Sequence, residues 1–189
     1  MDQDSVFEDF AEYRRTAEEI FEAQDCIIGP WYFPPVPSND ETPVIEREHI
    51  ITSGMIVPVK LLDAVGGYCE WFKVDGIDIE LCVKARQKGY KVIQCINHRL
   101  IQQFGNSYEK KVLGHIFSGP GYGPFRLYGI MRNYLITYRK YGKPLFLKQM
   151  IHWSIANYIP NIIFPEKQKC RKLFNICKGL WDGYRFKIQ

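Results

Sequence analysis

Two acidic pairs draw attention by residue type and spacing. Asp2 and Asp4 lie one residue apart in the opening MDQDS. Two hard oxygen donors so placed suit Mg²⁺ or Mn²⁺ bridged to phosphate oxygens. An acidic tail favouring the positive end of the next helix accounts for the same pair. The second cluster is DGIDIE, residues 75–80. Asp78 falls at a predicted helix N-terminus, where the dipole favours a carboxylate that could take a proton from a hydroxyl. A helix cap with no chemistry is the competing reading of Asp78. A third group is basic. Arg126, Arg132 and Arg139 recur on one predicted helix with Tyr128, Asn133, Tyr134 and Tyr138 between them. The planar guanidinium fork suits a diphosphate; a solvated helix face with snorkelling side chains gives the same pattern.

The chain that must position these residues is asymmetric in charge. Residues 1–106 carry ten Lys and Arg against eighteen Asp and Glu, whereas residues 107–189 carry fifteen against three. An acidic first half suits a metal site, and a basic, aromatic second half suits phosphate groups or an anionic surface. The aromatics of that half follow helical spacing, which makes them core and argues against a nucleic-acid stacking platform. The six cysteines form no CxxC pair, and no signal-peptide pattern opens the chain. They read as reduced, mostly buried thiols of a cytoplasmic protein. No apolar run reaches the length of a membrane span.

The elements follow from periodicity and breakers. Ser5-x-x-Glu8 reads as a capping box that opens a helix from Val6 to Gln24. CIIGPWYF (26–33) reads as a short strand broken at Gly29-Pro30, and PPVPSNDETP (34–43) as a polar loop. HIITSGMIVPV (49–59) predicts two short strands or a bent one. KLLDAVGGY (60–68) is a short helix with a glycine stop. Asp78 to Lys88 is a helix, followed by Gly89 and a strand from Tyr90 to Cys95. Beyond Ser107 the spacing predicts helices only, over 125–142, 144–159 and 166–186. GPGYGP (119–124) lacks the spacing of a phosphate-binding loop. The division is an α/β part over 1–106 and a basic, aromatic helical region over 107–189.

The order of these segments resembles family 2 glycosyltransferases, most closely their rhamnosyltransferase-like branch. The matching pieces run from DQDS through Cys26-Ile-Ile-Gly-Pro30, Thr52-Ser53-Gly54 and Gly66-Gly67-Tyr68 to Asp75–Lys91. They continue with Pro124, Arg126, Tyr128, Arg132 and Asn133, and end at Gly179-Leu-Trp-Asp-Gly183. Each piece is loose, and the joint order carries the resemblance over almost the whole chain. It implies the acceptor part of a GT-A fold followed by a helical appendix.

It also implies roles. Asp2 and Asp4 would hold the divalent cation, Mg²⁺ or Mn²⁺, with Gln102 where many relatives have a histidine. Asp78 would deprotonate the acceptor hydroxyl in an inverting displacement. Arg126, Arg132, Asn133, Ser53, Gly54 and Asp75 would bind the diphosphate or the acceptor. Ile77 departs from the acidic residue or threonine that many members place before the base. The implied donor is a dTDP- or UDP-sugar, and the acceptor a glycan or lipid-linked glycan of surface polysaccharide synthesis. Residues 107–189 would rest on the inner face of the cell membrane. The family places an α/β nucleotide-binding half before DQDS. The expectation is therefore a chain of low stability and low transferase activity alone; a non-catalytic binding protein is the alternative.

Overall fold

The computed structural model describes residues 5–32, 43–102, 107–112 and 114–188. It is mixed α/β and divides into two compact units. One comprises residues 1–69 and 77–103, the other residues 70–76 and 104–189.

The first unit is built on a mixed sheet around one long strand. In chain order its elements are β1 (Val6–Phe7), α1 (Phe10–Ala23), β2 (Cys26–Trp31), β3 (Val44–Glu46), α2 (Val59–Ala64), α3 (Ile77–Gln87) and β4 (Lys91–Ile101). β2 runs parallel to β4, from Cys26 opposite Lys91 to Pro30 opposite Cys95. β3 runs antiparallel to the same stretch of β4 and so takes its other edge. β1 pairs antiparallel with Leu100 and Ile101. Alternation along β2 and β4 sends side chains to opposite faces. Ile27 and Val92 pack with Leu61, Leu81, Cys82 and Ala85 of α2 and α3. Cys26, Ile28 and Ile93 pack with Tyr13 and Ala17 of α1. A sheet covered by helices on both faces results.

Several sequence expectations are corrected here. The helix expected from Val6 begins at Phe10, because Asp9 is the residue that caps it: its carboxylate accepts from Glu12 N–H at 2.9 Å. Val6 and Phe7 pair with β4 instead, so Ser5 and Glu8 form no capping box. β2 runs through Gly29-Pro30 without a break, and its register slips only after Pro30. Gln94 bridges that point, donating to Pro30 O at 3.0 Å while Arg47 donates to its Oε1 at 2.9 Å. Residues 49–58 form a turn and a single bridge between Ile28 and Ile56, with no strand of their own, and Val59 opens α2. Cys26, Cys82 and Cys95 are buried, whereas Cys170 and Cys177 are exposed. Burial pushes the Cys82 and Cys95 thiols up to about 12, which keeps them protonated and inert.

The second unit is not all helix. A hairpin of β5 (Tyr108–Val112) and β6 (His115–Gly119) precedes α4 (Pro124–Lys140), α5 (Leu145–Ile163) and α6 (Lys169–Arg185). Gly114, at φ +83°, lies in the hairpin turn. Pro124 and Pro144 stand at the starts of α4 and α5, where a missing N–H is tolerated. Leu127, Ile130 and Met131 of α4 meet Ile162 of α5 and Ile176 of α6 in one core. α6 approaches α4 through Gly179 and Gly183. A Cβ on Gly179 would lie 2.5 Å from Tyr128 O, and one on Gly183 would lie 2.8 Å from Arg132 O. Only hydrogen fits between these backbones.

Among the described residues, no helix is long and apolar enough to cross a membrane.

Candidate functional site

In the first unit Asp78 occupies the first turn of α3. Its Oδ1 accepts from Ile79 N–H at 2.8 Å, so the carboxylate sits against the positive end of the helix. Tyr32 and Cys82 feel its charge. Burial pushes the Tyr32 hydroxyl up to about 12; a bond from Ile51 and the charge of Arg47 work against that shift, and Asp78 adds to it. Asp78 therefore lies within electrostatic reach of a buried phenol in its own unit.

The remainder of the acidic segment sets the helix in place. Glu80 is buried and pairs with Lys84 one turn on, at 3.1 Å. Lys84 Nζ also donates to the carbonyl of Gly67. α2 ends on that turn, where Gly66 and Gly67 both take positive φ and Gly67 N–H returns to Leu62 O at 2.9 Å. A glycine pair is required there because a side chain at those angles is strained. Gly54, at φ +72°, is also tightly held: its carbonyl accepts from Tyr13 OH at 2.8 Å, and a Cβ would meet Phe7 and Pro30 at 2.8 Å. Ser53 beside it is buried. Gln102 follows the end of β4 and is half-buried.

In the second unit four of the predicted residues meet. Asp75 has a φ of +54°, followed by Gly76 at +83°. Arg126 donates from Nε to Asp75 Oδ2 at 3.0 Å and from Nη2 to Oδ1 at 2.9 Å. Burial disfavours the Arg126 charge, but the bonds and charge of Asp75 outweigh it and raise the guanidinium pKa. Asn133, only 2% exposed, donates to both Val74 O and Asp75 O at 2.8 Å. Arg132 donates to Asn133 Oδ1 at 2.9 Å and stacks over Phe186 at 5.3 Å. The two amide donors and the fork together hold a left-handed backbone that costs about 1–2 kcal/mol on its own. Arg139 lies apart from this group, bonded to Gly183 O and Phe186 O. Asp75, Arg126 and Asn133 are thus engaged with one another, in contacts that any bound anion would have to share.

Sequence reasoning did not single out Tyr122 and Tyr158, which flank the Asp75–Arg126 pair. Arg126 lies 4.1 Å over the Tyr122 ring. Burial raises the Tyr158 hydroxyl, and Tyr122 and Asp75 raise it further. Tyr158 has the helical spacing of ordinary core on α5, Tyr122 lies in the GPGYGP stretch before α4, and nothing local marks either.

The predicted metal ligands Asp2 and Asp4 lie outside the described residues. Of the predicted set only Gln102 is described, and a single neutral amide is not a metal site. Among the described residues, no three His, Cys, Asp or Glu side chains gather where they could hold a metal ion.

The chain matches no protein-family profile, no curated protein and no solved structure.

Proposed function

We propose that the chain serves inverting glycosyl transfer of the family 2, GT-A kind, with a dTDP- or UDP-sugar as donor. The acceptor is a glycan or lipid-linked glycan of surface polysaccharide. The observation that carries the reading is the Asp75–Arg126–Asn133 latch. The segments whose order suggested the family are separate in sequence, yet they bind one another. Asp75 is tied to the Arg and Asn of α4, the Gly66-Gly67 turn to Lys84 of α3, and the terminal Gly179 and Gly183 to the backbone of α4.

In this reading Asp78 takes the proton of the acceptor hydroxyl. The oxygen then forms its bond to the anomeric carbon as the bond to the nucleoside diphosphate breaks, and the configuration inverts. Asp75, Arg126 and Asn133 hold the Asp75-Gly76 turn within the second unit. The reading assigns the divalent cation, Mg²⁺ or Mn²⁺, to Asp2 and Asp4. It also sets the second unit against the inner face of the cell membrane. Support for that comes from α6, whose exposed Phe174, Trp181 and Tyr184 alternate with Arg171, Lys178 and Arg185.

A second reading, a non-catalytic binding protein, is favoured by one fact: Arg126 and Asn133 already have internal partners. Calorimetric titration with UDP and dTDP, with and without Mn²⁺, separates the two. Transfer chemistry expects Mn²⁺-dependent binding that is lost in Asp4→Ala. Absence of any nucleotide binding would leave only the non-catalytic reading.

A further inference from the structure

The second unit contains a pocket of about 420 Å³ between the β5–β6 hairpin and α5, within the range of about 300–1,000 Å³ typical of small-molecule sites. Four aromatic side chains line it, Tyr108, Tyr122, Trp153 and Tyr158. Tyr122 and Tyr158 meet edge to face at 6.1 Å, and Trp153 meets Tyr158 at 6.5 Å and 72°. Trp153 is 62% exposed although it lines the pocket, so its ring is available at the mouth.

Polar groups line the pocket as well. Tyr108 OH donates to Glu166 Oε1 at 2.8 Å, and Glu166 pairs on its other side with Lys172. Asn157 and Asn161 also line it. Each donates one amide N–H to the α5 backbone one turn back, at 2.7 and 2.8 Å. Among the described residues, Asn157 keeps its amide oxygen and second N–H for a ligand.

Charge selects among ligands. Residues 107–189 are strongly basic, yet the lining contains no Lys or Arg, and its one acidic side chain, Glu166, is paired with Lys172. A phosphate or diphosphate would find no Lys or Arg in the wall to bind it. A neutral ring with apolar C–H faces and a rim of hydroxyls matches both the aromatic faces and the amides. We propose that this pocket binds one neutral pyranose residue of a glycan. Neither Asp78 nor a nucleotide takes part, so the binding holds whether or not the chain transfers sugar.

Saturation-transfer NMR on the 189-residue protein tests this with the methyl pyranosides of glucose, galactose and rhamnose, beside glucose 1-phosphate and UDP. At least one neutral pyranoside should receive saturation at its ring C–H protons, and more strongly than glucose 1-phosphate. Affinity should fall about tenfold in Trp153→Ala, through the loss of one aromatic face. It should fall again in Asn157→Ala and stay unchanged in Trp181→Ala, an exposed ring on another helix. If Trp153→Ala fails to fold, Asn157→Ala decides. No transfer to any neutral pyranoside, a preference for the phosphorylated sugar, or binding indifferent to both lining variants overturns the proposal.

Discussion

Arg126 closes its guanidinium on the carboxylate of Asp75, with Nη2 to Oδ1 at 2.9 Å, while Asp75 itself has a φ of +54°. Charge pairing and backbone strain thus share one residue. Asp75→Asn keeps a side chain that tolerates the left-handed region but loses the charge, and should lower unfolding free energy by about 1–2 kcal/mol. Asp75→Ala removes both the acceptor and the tolerance, and should lower it further. Urea denaturation measures both; equal stability of the two variants would mean the strain is unimportant.

The glycines of α6 should be intolerant of any side chain. Gly179→Ala sets a Cβ 2.5 Å from Tyr128 O, and neither backbone can move without separating the helices. A loss of about 1–3 kcal/mol is expected, as for other overpacked contacts. Gly123→Ala is the control. Gly123 has φ −71° and open space around it, so its substitution should change stability by less than about 1 kcal/mol.

Asp78→Asn separates chemistry from fold. Sugar transfer should drop by about 10²–10⁴, the usual loss when a positioned base is removed. Stability should change by only about 0.3–1 kcal/mol, the worth of a charge at a helix N-terminus. A rate within about threefold of the unaltered protein, outside the usual range for a base, would remove Asp78 from the catalytic role.

Stability should fall on mild acidification. Burial, reinforced by the charge of Arg47, lowers the His49 pKa below its ordinary value. A histidine kept neutral in the folded state binds its proton more readily when unfolded. Its contribution is fully present above the unfolded pKa of about 6.5 and is lost as pH falls toward the folded value. Thermal unfolding followed from pH 7.5 to 5.5 should show a declining midpoint, with a smaller decline in His49→Gln.

The exposed face of α6 predicts salt-sensitive membrane binding. Phe174, Trp181 and Tyr184 are 64%, 59% and 65% exposed, with cations interleaved. The protein should float with vesicles containing phosphatidylserine at low salt and dissociate as salt screens the attraction. Trp181→Ala should weaken flotation; equal flotation with neutral vesicles would rule out the electrostatic part.

How far the sequence could be read depended on the range of the cause. α3 was legible almost to the residue, because its start, its stop at Gly89 and its apolar face are all local. The start of α1 was misplaced, because two residues with helical spacing pair instead with a strand more than ninety positions away. The β5–β6 hairpin escaped notice because both strands are half exposed and show little apolar alternation. Gly179 and Gly183 were recognisable as a motif, but the partner that requires them lies on another helix. The residues of the pocket run from Ser107 to Glu166, and no local window contains them. Asn133 was singled out for ligand binding, and its burial against Val74 and Asp75 could not be inferred from its own neighbours.

The strap of residues 70–76 carries a consequence for how the chain is made. It is synthesised amid the elements of one unit but belongs to the other, and Arg126 follows Asp75 by 51 positions. At a ribosomal pace of roughly 5–20 residues per second, Asp75 waits about 3–10 s for its cation to be added to the chain. During that interval its left-handed turn has nothing to hold it. The converse holds for dissection: a fragment starting at residue 104 would bury the Asn133 amide without the two carbonyls that accept from it.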